Sequence, residues 1–501
     1  MATGMKCRDM KPTPTQTQGH AGRRLGLLLP VALLLQACAS TAPPADPAGA
    51  AARAKVQMPA GWRVDAPAAE SPLIDGGWWT AFQSPALERL ITEAQGDSAE
   101  LRIAYERIRQ AEITLRQSGA SRWPSVNASA GASRSRSSTA GVETTRESTN
   151  LGVSASYEVD LWGRVADSVR AGNASLRASQ HDWQAARLSL LAGVAGQYFQ
   201  WLGLSERVAL AQANLARTER LLTIVESRLR NGVATPLEVS QQRSTLLSQR
   251  VSLLALQQQR SQSATALALL LGRQPIGFSP EAYLSASGDA TAVASNDFAA
   301  LRVPELAPGL PAALLTRRPD LAAAEAQLAA ADANVDAARA ALLPTASLSA
   351  SSTMTSASLF SLADPTRGIS LGLSLAQSLF DGGRQRAQVQ LSESQRLVLI
   401  ENYGQAVRTA VKEVGDALGQ AGYSQQQEDL QRELVAQAQA SLRLAELRYR
   451  EGSGDLMSLL DAQRSLFSAQ DNLSVQRLAR LQAVLDLYKA LGGDWAAPPK
   501  V

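Results

Sequence analysis

The sequence predicts a mixed α and β membrane protein built from two similar copies in tandem, each a pair of strands followed by a very long helix and a shorter returning helix. Three observations carry this. Sliding the chain along itself by 220 residues brings its middle into register without a gap. Each copy holds two stretches of about ten alternating apolar and polar residues. Each then continues for 67 or 68 residues without a proline.

The offset places Leu101 on Leu321, Ile108 on Leu328, Pro124 on Pro344, Leu151-Gly152-Val153-Ser154 on Leu371-Gly372-Leu373-Ser374, Gly232 on Gly452, and Leu271-Gly272 on Leu491-Gly492. Two copies are too few for a solenoid, so each is a large unit, and the pair implies pseudo-symmetry about an axis. Composition narrows the chemistry. Two histidines and two cysteines leave a Ser-His-Asp triad, a Cys/His zinc site and a disulfide scaffold short of parts. Aromatics at 5% beside hydrophobics at 45% make the apolar content Ala, Leu and Val, which suits long helices. The formal charge of +4 is matched by Lys6, Arg8, Lys11, Arg23 and Arg24 against Asp9, so the remainder is near neutral and a nucleic-acid partner is set aside.

In chain order, residues 1–37 read as a signal peptide, a basic start followed by the eleven-residue apolar run Leu25–Leu35, too short to span a bilayer. Leu35-Gln36-Ala37-Cys38 resembles a bacterial lipobox. An N-acyl, S-diacylglycerol Cys38 is therefore expected, and it accounts for a lone cysteine in an exported chain; an ordinary signal peptide cleaved near Ala37 is the alternative. Ala39 and Ser40 after the cysteine imply sorting to the Gram-negative outer membrane, by resemblance to its lipoproteins. Residues 38–84 form a lipidated tether and equatorial segment, with Thr41 to Ala69 expected to be extended because they are rich in Pro and Ala without periodicity.

Residues 85–272 and 312–492 are the two repeats, joined by an equatorial linker at 273–311 and followed by a tail at 493–501. In each, a helix starts at a cap, Asp97-Ser98-Ala99-Glu100 or Arg317-Arg318-Pro319-Asp320, and stops before Trp123-Pro124 or Leu343-Pro344. Strands are expected at about 125–136 and 149–160, and at about 345–355 and 369–379, across polar loops 137–148 and 356–368. One face carries Val126, Ala128, Leu151, Val153, Leu371 and Leu373, and the other Ser, Thr, Gly and Asn. That fits a transmembrane β-strand, although a soluble sandwich shows the same alternation. The long helices 164–230 and 384–450 favour the membrane reading: at 1.5 Å per residue each is about 100 Å long, beyond any ordinary globular helix. Gly193, Gly196 and Gly203 inside the first mark close packing or a bend. Each long helix ends with stop and start signals: Arg228, Arg230 and Asn231-Gly232, then Thr235-Pro236-Leu237-Glu238, a capping box with proline at the first helical position. Arg448, Arg450, Gly452 and Asp455 repeat this layout.

With these elements assembled, the chain resembles the TolC/OprM-like outer-membrane efflux family, in its lipoprotein branch. Besides the duplication and lipobox, the resemblance rests on Gly77-Trp78-Trp79-Thr80-Ala81-Phe82, Tyr157-Glu158-Val159-Asp160-Leu161-Trp162-Gly163-Arg164, Arg317-Arg318-Pro319-Asp320 and Leu459-Leu460-Asp461-Ala462-Gln463-Arg464. Trp78, Trp79, Phe82 and Trp162 are read as packing residues. Four strands cannot close a barrel and open edges are not tolerated in lipid, so copies must assemble. Two would give eight strands with a filled interior, and three would give twelve with a lumen. The resemblance implies the homotrimer, a twelve-stranded transmembrane β-barrel continued by a periplasmic α-helical barrel. It also implies an inner-membrane resistance-nodulation-division pump and a periplasmic adaptor as partners, alongside outer-membrane lipid, with no cofactor.

The resemblance further implies that the tips, Asn231, Gly232 and Ala234 with Gly452, Ser453 and Gly454, dock an adaptor. Their small residues permit close backbone approach, and only Gly454 has no evident role in turning the chain. Met457 and Asp461, four apart on one helix face, have Leu237 and Gln241 as counterparts, so three copies would set one ring of carboxylates where the family closes its periplasmic mouth. The expected function is that of a passive exit duct for small molecules and not an enzyme. A protein-secretion duct and a lipid-anchored coiled-coil scaffold without a pore are the alternatives.

Overall fold

The computed structural model describes residues 47–59, 61–62, 77–286, 298–304 and 313–493. The expected signal peptide and Cys38 lie outside the described residues. In chain order the elements are α1 (Pro47–Arg53), α2 (Pro85–Asp97), α3 (Ala99–Ala120), β1 (Ser125–Thr139), β2 (Val142–Val159), α4 (Arg164–Arg230), α5 (Pro236–Leu270), α6 (Pro280–Ala286), α7 (Leu314–Arg317), α8 (Pro319–Ala340), β3 (Thr345–Ser356), β4 (Thr366–Ala376), α9 (Arg384–Arg450) and α10 (Leu456–Ala490). The repeat is visible in these bounds, since α4 and α9 are each 67 residues and α5 and α10 each 35.

Toward the tips the four long helices lie side by side in the order α5, α4, α10, α9. Toward the strands, α3 and α8 replace the returning helices against α4, and α8 also reaches α9. The interior glycines mark close packing. A methyl on Gly196 would sit 3.3 Å from Leu485, one on Gly203 3.5 Å from Leu478 and Phe298, and one on Gly172 3.2 Å from Leu115. At the middle of α4 a core gathers Tyr198, Phe199, Leu191 and Val194 with Tyr488 and Leu481 of α10 and with Trp78 and Phe82. Trp78 stacks on Tyr488 at 5.4 Å between ring centroids, so Trp78 and Phe82 are packing residues as expected. Trp162 is exposed and ties the repeats together, its indole N–H donating to the Pro344 carbonyl at 2.7 Å.

Four local expectations are corrected. Part of the segment expected to be extended is the helix α1, because its Ala-rich sequence favours helix and its small side chains seat against α8 and α9. Ala50 and Ala54 are buried with Leu321, Leu328, Tyr403 and Val407, and Arg53 pairs with Asp332 at 2.7 Å. The Asp97 capping box does not form: Asp97 ends α2, and Ser98 precedes α3 without a side-chain cap bond. The loop expected at 137–148 is mostly strand. β1 and β2 continue to the two-residue turn Ala140-Gly141, where both φ angles are positive (50° and 82°), the geometry that suits a tight hairpin. Polar Ser and Thr hid the extension, which is held by a ladder and by the cross-strand pairs Arg134–Glu147 and Arg136–Glu143, at 3.4 and 3.2 Å. β4 runs over Thr366–Ala376, three residues earlier than expected at each end.

Candidate functional site

The strands form one antiparallel sheet in the order β1, β2, β3, β4, and β2 pairs with β3 across the two repeats. Its register sorts the side chains by row. On one face lie Val126, Ala155, Ala350 and Leu371 in one row, Ala128, Val153, Ser352 and Ile369 in the next, and Tyr157, Leu348 and Leu373 on the other side of the first. On the opposite face the rows read Ser125, Ser156, Ser349, Gly372, then Asn127, Ser154, Ser351, Ser370, then Ser129, Gly152, Thr353, Gly368. A sheet with one apolar face normally packs it on a core. Here Ile369, Leu371 and Leu373 remain 89%, 77% and 76% exposed, so the apolar face has no partner among the described residues.

The apolar rows have a definite height. From Ala346 to Met354 on β3 the rise is about 27 Å along the strand, or about 21 Å at a tilt near 40°, close to the band of a transmembrane barrel. Charge starts where the band stops, with Arg367 opposite Met354 and the Arg134–Glu147 pair beyond it on the same face. Exposed Trp123, Trp162, Leu379 and Phe380 cluster around one end of the sheet, and exposed Phe360 lies in the loop at the other. Such girdles mark the two interfaces of a bilayer. No described helix is long and apolar enough to cross a membrane.

The sheet is open at β1 and β4, and the helical layer is open at α5 and α9. Leu247, Val251 and Leu254 form an exposed three-to-four-residue stripe on α5, and Tyr423, Leu430 and Leu444 are exposed on α9. These are seams of a coiled-coil kind on free edges.

The tips repeat one another closely. At the first, Gly232 has φ +74°, the amides of Val233 and Ala234 donate to the Arg228 carbonyl at 2.9 and 3.3 Å, and Thr235 and Glu238 close their capping box. At the second, Gly452 has φ +72°, and Ser453 and Gly454 donate to the Arg448 carbonyl at 2.9 and 3.0 Å. The Asp455 carboxylate then accepts from the Ser458 amide at 2.7 Å. That hydrogen bond, followed by the Ser458 hydroxyl, holds the Asp455 carboxyl below its ordinary pKa. Gly454 has a local reason to be small, contrary to the expectation. A methyl there would meet Arg448 Cβ at 3.0 Å, and Ala234 fits the matching position where the turn is slightly wider.

Met457 and Asp461 are both exposed near the start of α10. The sequence reading missed their neighbour: Arg464 donates to Asp461 Oδ1 at 3.2 Å. The three-residue spacing is a signal that could have found it. Also missed was a buried charge cluster higher on the helices. Glu428 of α9 is fully buried and accepts from Arg477 and Arg480 of α10, each at 3.0 Å, and from Arg432. Arg477 also donates to the carbonyls of Phe298, Ala299 and Leu301, pinning the linker to the helices. Arg318 of the Arg-Arg-Pro-Asp string acts similarly. It is buried and binds Asp320, Glu413 and the Ala490 carbonyl, so it joins the start of α8 and the end of α10 to the middle of α9.

The model of the family described as outer membrane efflux protein matches residues 90–273 and 310–493, two matches separated by the same 220 residues as the internal repeat. The pyoverdine export outer membrane protein OpmQ of Pseudomonas aeruginosa is 40% identical, covering 93% of this chain and 96% of its own. The antibiotic efflux pump outer membrane protein ArpC of Pseudomonas putida is 33% identical over 84% and 85% of the two chains. The solved structure of the outer-membrane channel OprN superposes with a TM-score of 0.77 at 28% identity, covering 87% of this chain and 98% of that one. With a sheet apolar on its outer face, hundred-ångström helices below it and matches over both repeats, the chain belongs to the outer membrane efflux protein family.

Proposed function

We propose that three copies of this chain form the outer-membrane exit duct of a tripartite efflux pump. The observation that supports it best is the four-stranded sheet, apolar and uncovered on one face, polar on the other and unpaired at both edges. Three such sheets edge to edge make twelve strands, place the apolar faces in lipid and turn the Ser, Thr, Asn and Gly rows onto a lumen wide enough for water. The same threefold closure covers the α5 and α9 seams and continues the lumen through the helices. An inner-membrane resistance-nodulation-division pump supplies the energy, and a periplasmic adaptor joins it to the tips, with Gly232, Ser453 and the exposed Val233 beside them as the contact. Asp461 and Met457 narrow the periplasmic mouth, and a lipid on Cys38 adds a second hold on the membrane. Relatives named for pyoverdine and for antibiotics match this chain over most of its length, which supports placing cargo choice in the pump and not in the duct.

Reconstituting detergent-extracted protein in planar bilayers tests the reading. A trimer that conducts ions is expected, whereas an elongated oligomer that stays silent would overturn it in favour of a scaffold.

A further inference from the structure

We infer that each protomer carries a binding site for a small amphipathic organic anion in the groove between α4 and α9 near the tips. The groove is a cavity of about 770 Å³ floored by α10, within the range of a drug-sized ligand site. Its floor is apolar, with Leu221, Leu442, Leu459, Leu466 and Phe467. Around the floor stand Arg217, Arg220 and Arg228 of α4 and Arg450 of α9, against a single acid, Glu446.

These cations differ from Arg243 and Arg250 of the neighbouring α5. Arg243 pairs with Glu226 at 2.8 Å and Arg250 with Glu219 at 2.9 Å, so the acids of this stretch are used on the α5 side. None of the four groove arginines has a carboxylate partner among the described residues, and Arg228 instead rests over the Tyr449 ring at 4.5 Å. Four arginines lining one apolar groove raise the local potential, and a guanidinium can meet a carboxylate or sulfonate with two parallel hydrogen bonds. A ligand with an aromatic or aliphatic body and an acidic group satisfies both parts of the groove. A neutral body lacks the charge, and a simple inorganic anion leaves the floor wet. The site is separate from the mouth proposed above. On α10, Leu459, Gln463 and Leu466 face the groove, while Met457 and Asp461 lie about half a helical turn away around the axis.

The test uses the full chain in phosphatidylcholine nanodiscs and 8-anilinonaphthalene-1-sulfonate as probe, with N-phenyl-1-naphthylamine, the same ring body without the sulfonate, as its uncharged match. After subtraction of empty nanodiscs, the sulfonate is expected to bind saturably and at least about tenfold more tightly than the amine. Arg217→Gln with Arg220→Gln should weaken it by about tenfold, and Arg217→Lys with Arg220→Lys, which keep the charge without the paired hydrogen bonds, should restore part of the affinity. Arg243→Gln, outside the groove, should leave it unchanged. Leu442→Trp keeps every charge and fills the floor, so it should abolish binding. Equal binding of the two probes, or full sulfonate binding in the double glutamine or the tryptophan variant, would overturn the inference. So would a groove that captures an acidic helical peptide but not the probe, which would assign it to a protein partner.

Discussion

Glu428 is a residue whose loss the structure makes costly. Its carboxylate is fully buried, and two of its three partners, Arg477 and Arg480, have side chains only 15% and 16% exposed. Glu428→Ala leaves those two guanidiniums buried without a counter-charge, a change that costs about 3–5 kcal/mol when one member of a buried pair is removed. The lower end applies here, because Arg432 is about half exposed and keeps Asp429, and Arg477 keeps three carbonyl acceptors. About 3 kcal/mol corresponds to about a hundredfold rise in the opening equilibrium. Glu428→Gln retains the shape and one acceptor oxygen and should cost about half as much, about a tenfold rise. Hydrogen exchange by mass spectrometry on the full chain reads this directly, in peptides spanning 424–436, 472–484 and 298–304. Exchange in those peptides should quicken while the tip peptides stay unchanged. An alanine variant whose exchange rises less than about threefold, or a glutamine variant as damaged as the alanine one, would refute the reasoning.

Other perturbations probe the duct and its ends. Asp461→Ala should raise single-channel conductance and lower cation preference, Met457→Ala should raise conductance alone, and Arg464→Ala, by freeing the carboxylate, should sharpen cation preference; unchanged currents in all three with the trimer intact would place the constriction elsewhere. Tryptophan at Ala234 and at Ser453 should abolish efflux with trimer yield preserved, and normal efflux in both would remove the docking role of the tips. The lowered pKa of Asp455 makes its cap complete above the ordinary aspartate range near pH 4 and lost only as the pH falls through the depressed value. Intrinsic-rate-corrected exchange at Leu456–Leu460 should therefore stay slow down to pH 4 and quicken below it, whereas Asp455→Ala should be fast throughout. Cys38→Ser should eliminate palmitate labelling while the barrel keeps the protein in the outer membrane, so persistent label would exclude this anchor.

What could be read in the chain depended on how far apart the interacting residues lie. The tips were legible because their chemistry is local. Thr235 and Glu238 satisfy each other's backbone three residues apart, and Asn231-Gly232 supplies a left-handed exit that few other residues adopt. The strands were legible where lipid and lumen impose a period of two on side-chain polarity, and illegible over Ser137–Ser148, where both faces meet water and the period disappears. Duplication was legible because both copies obey the same constraints residue by residue.

Tertiary structure alone decided which faces meet. Pairing of β2 with β3, which turns two hairpins into one sheet, joins residues about 200 apart and leaves no local pattern. Glu428 was one acid among many on a polar-looking helix until Arg477 and Arg480 reached it from 49 and 52 residues away. The arginine groove likewise exists only where faces of α4, α9 and α10 converge. Sequence by itself determined the long helices with their stops, the alternating core of each strand and the need for partners, since those follow from backbone hydrogen bonding and side-chain period. The buried charges and the groove were left to packing, because a charge's surroundings are set by chain segments that no local spacing specifies.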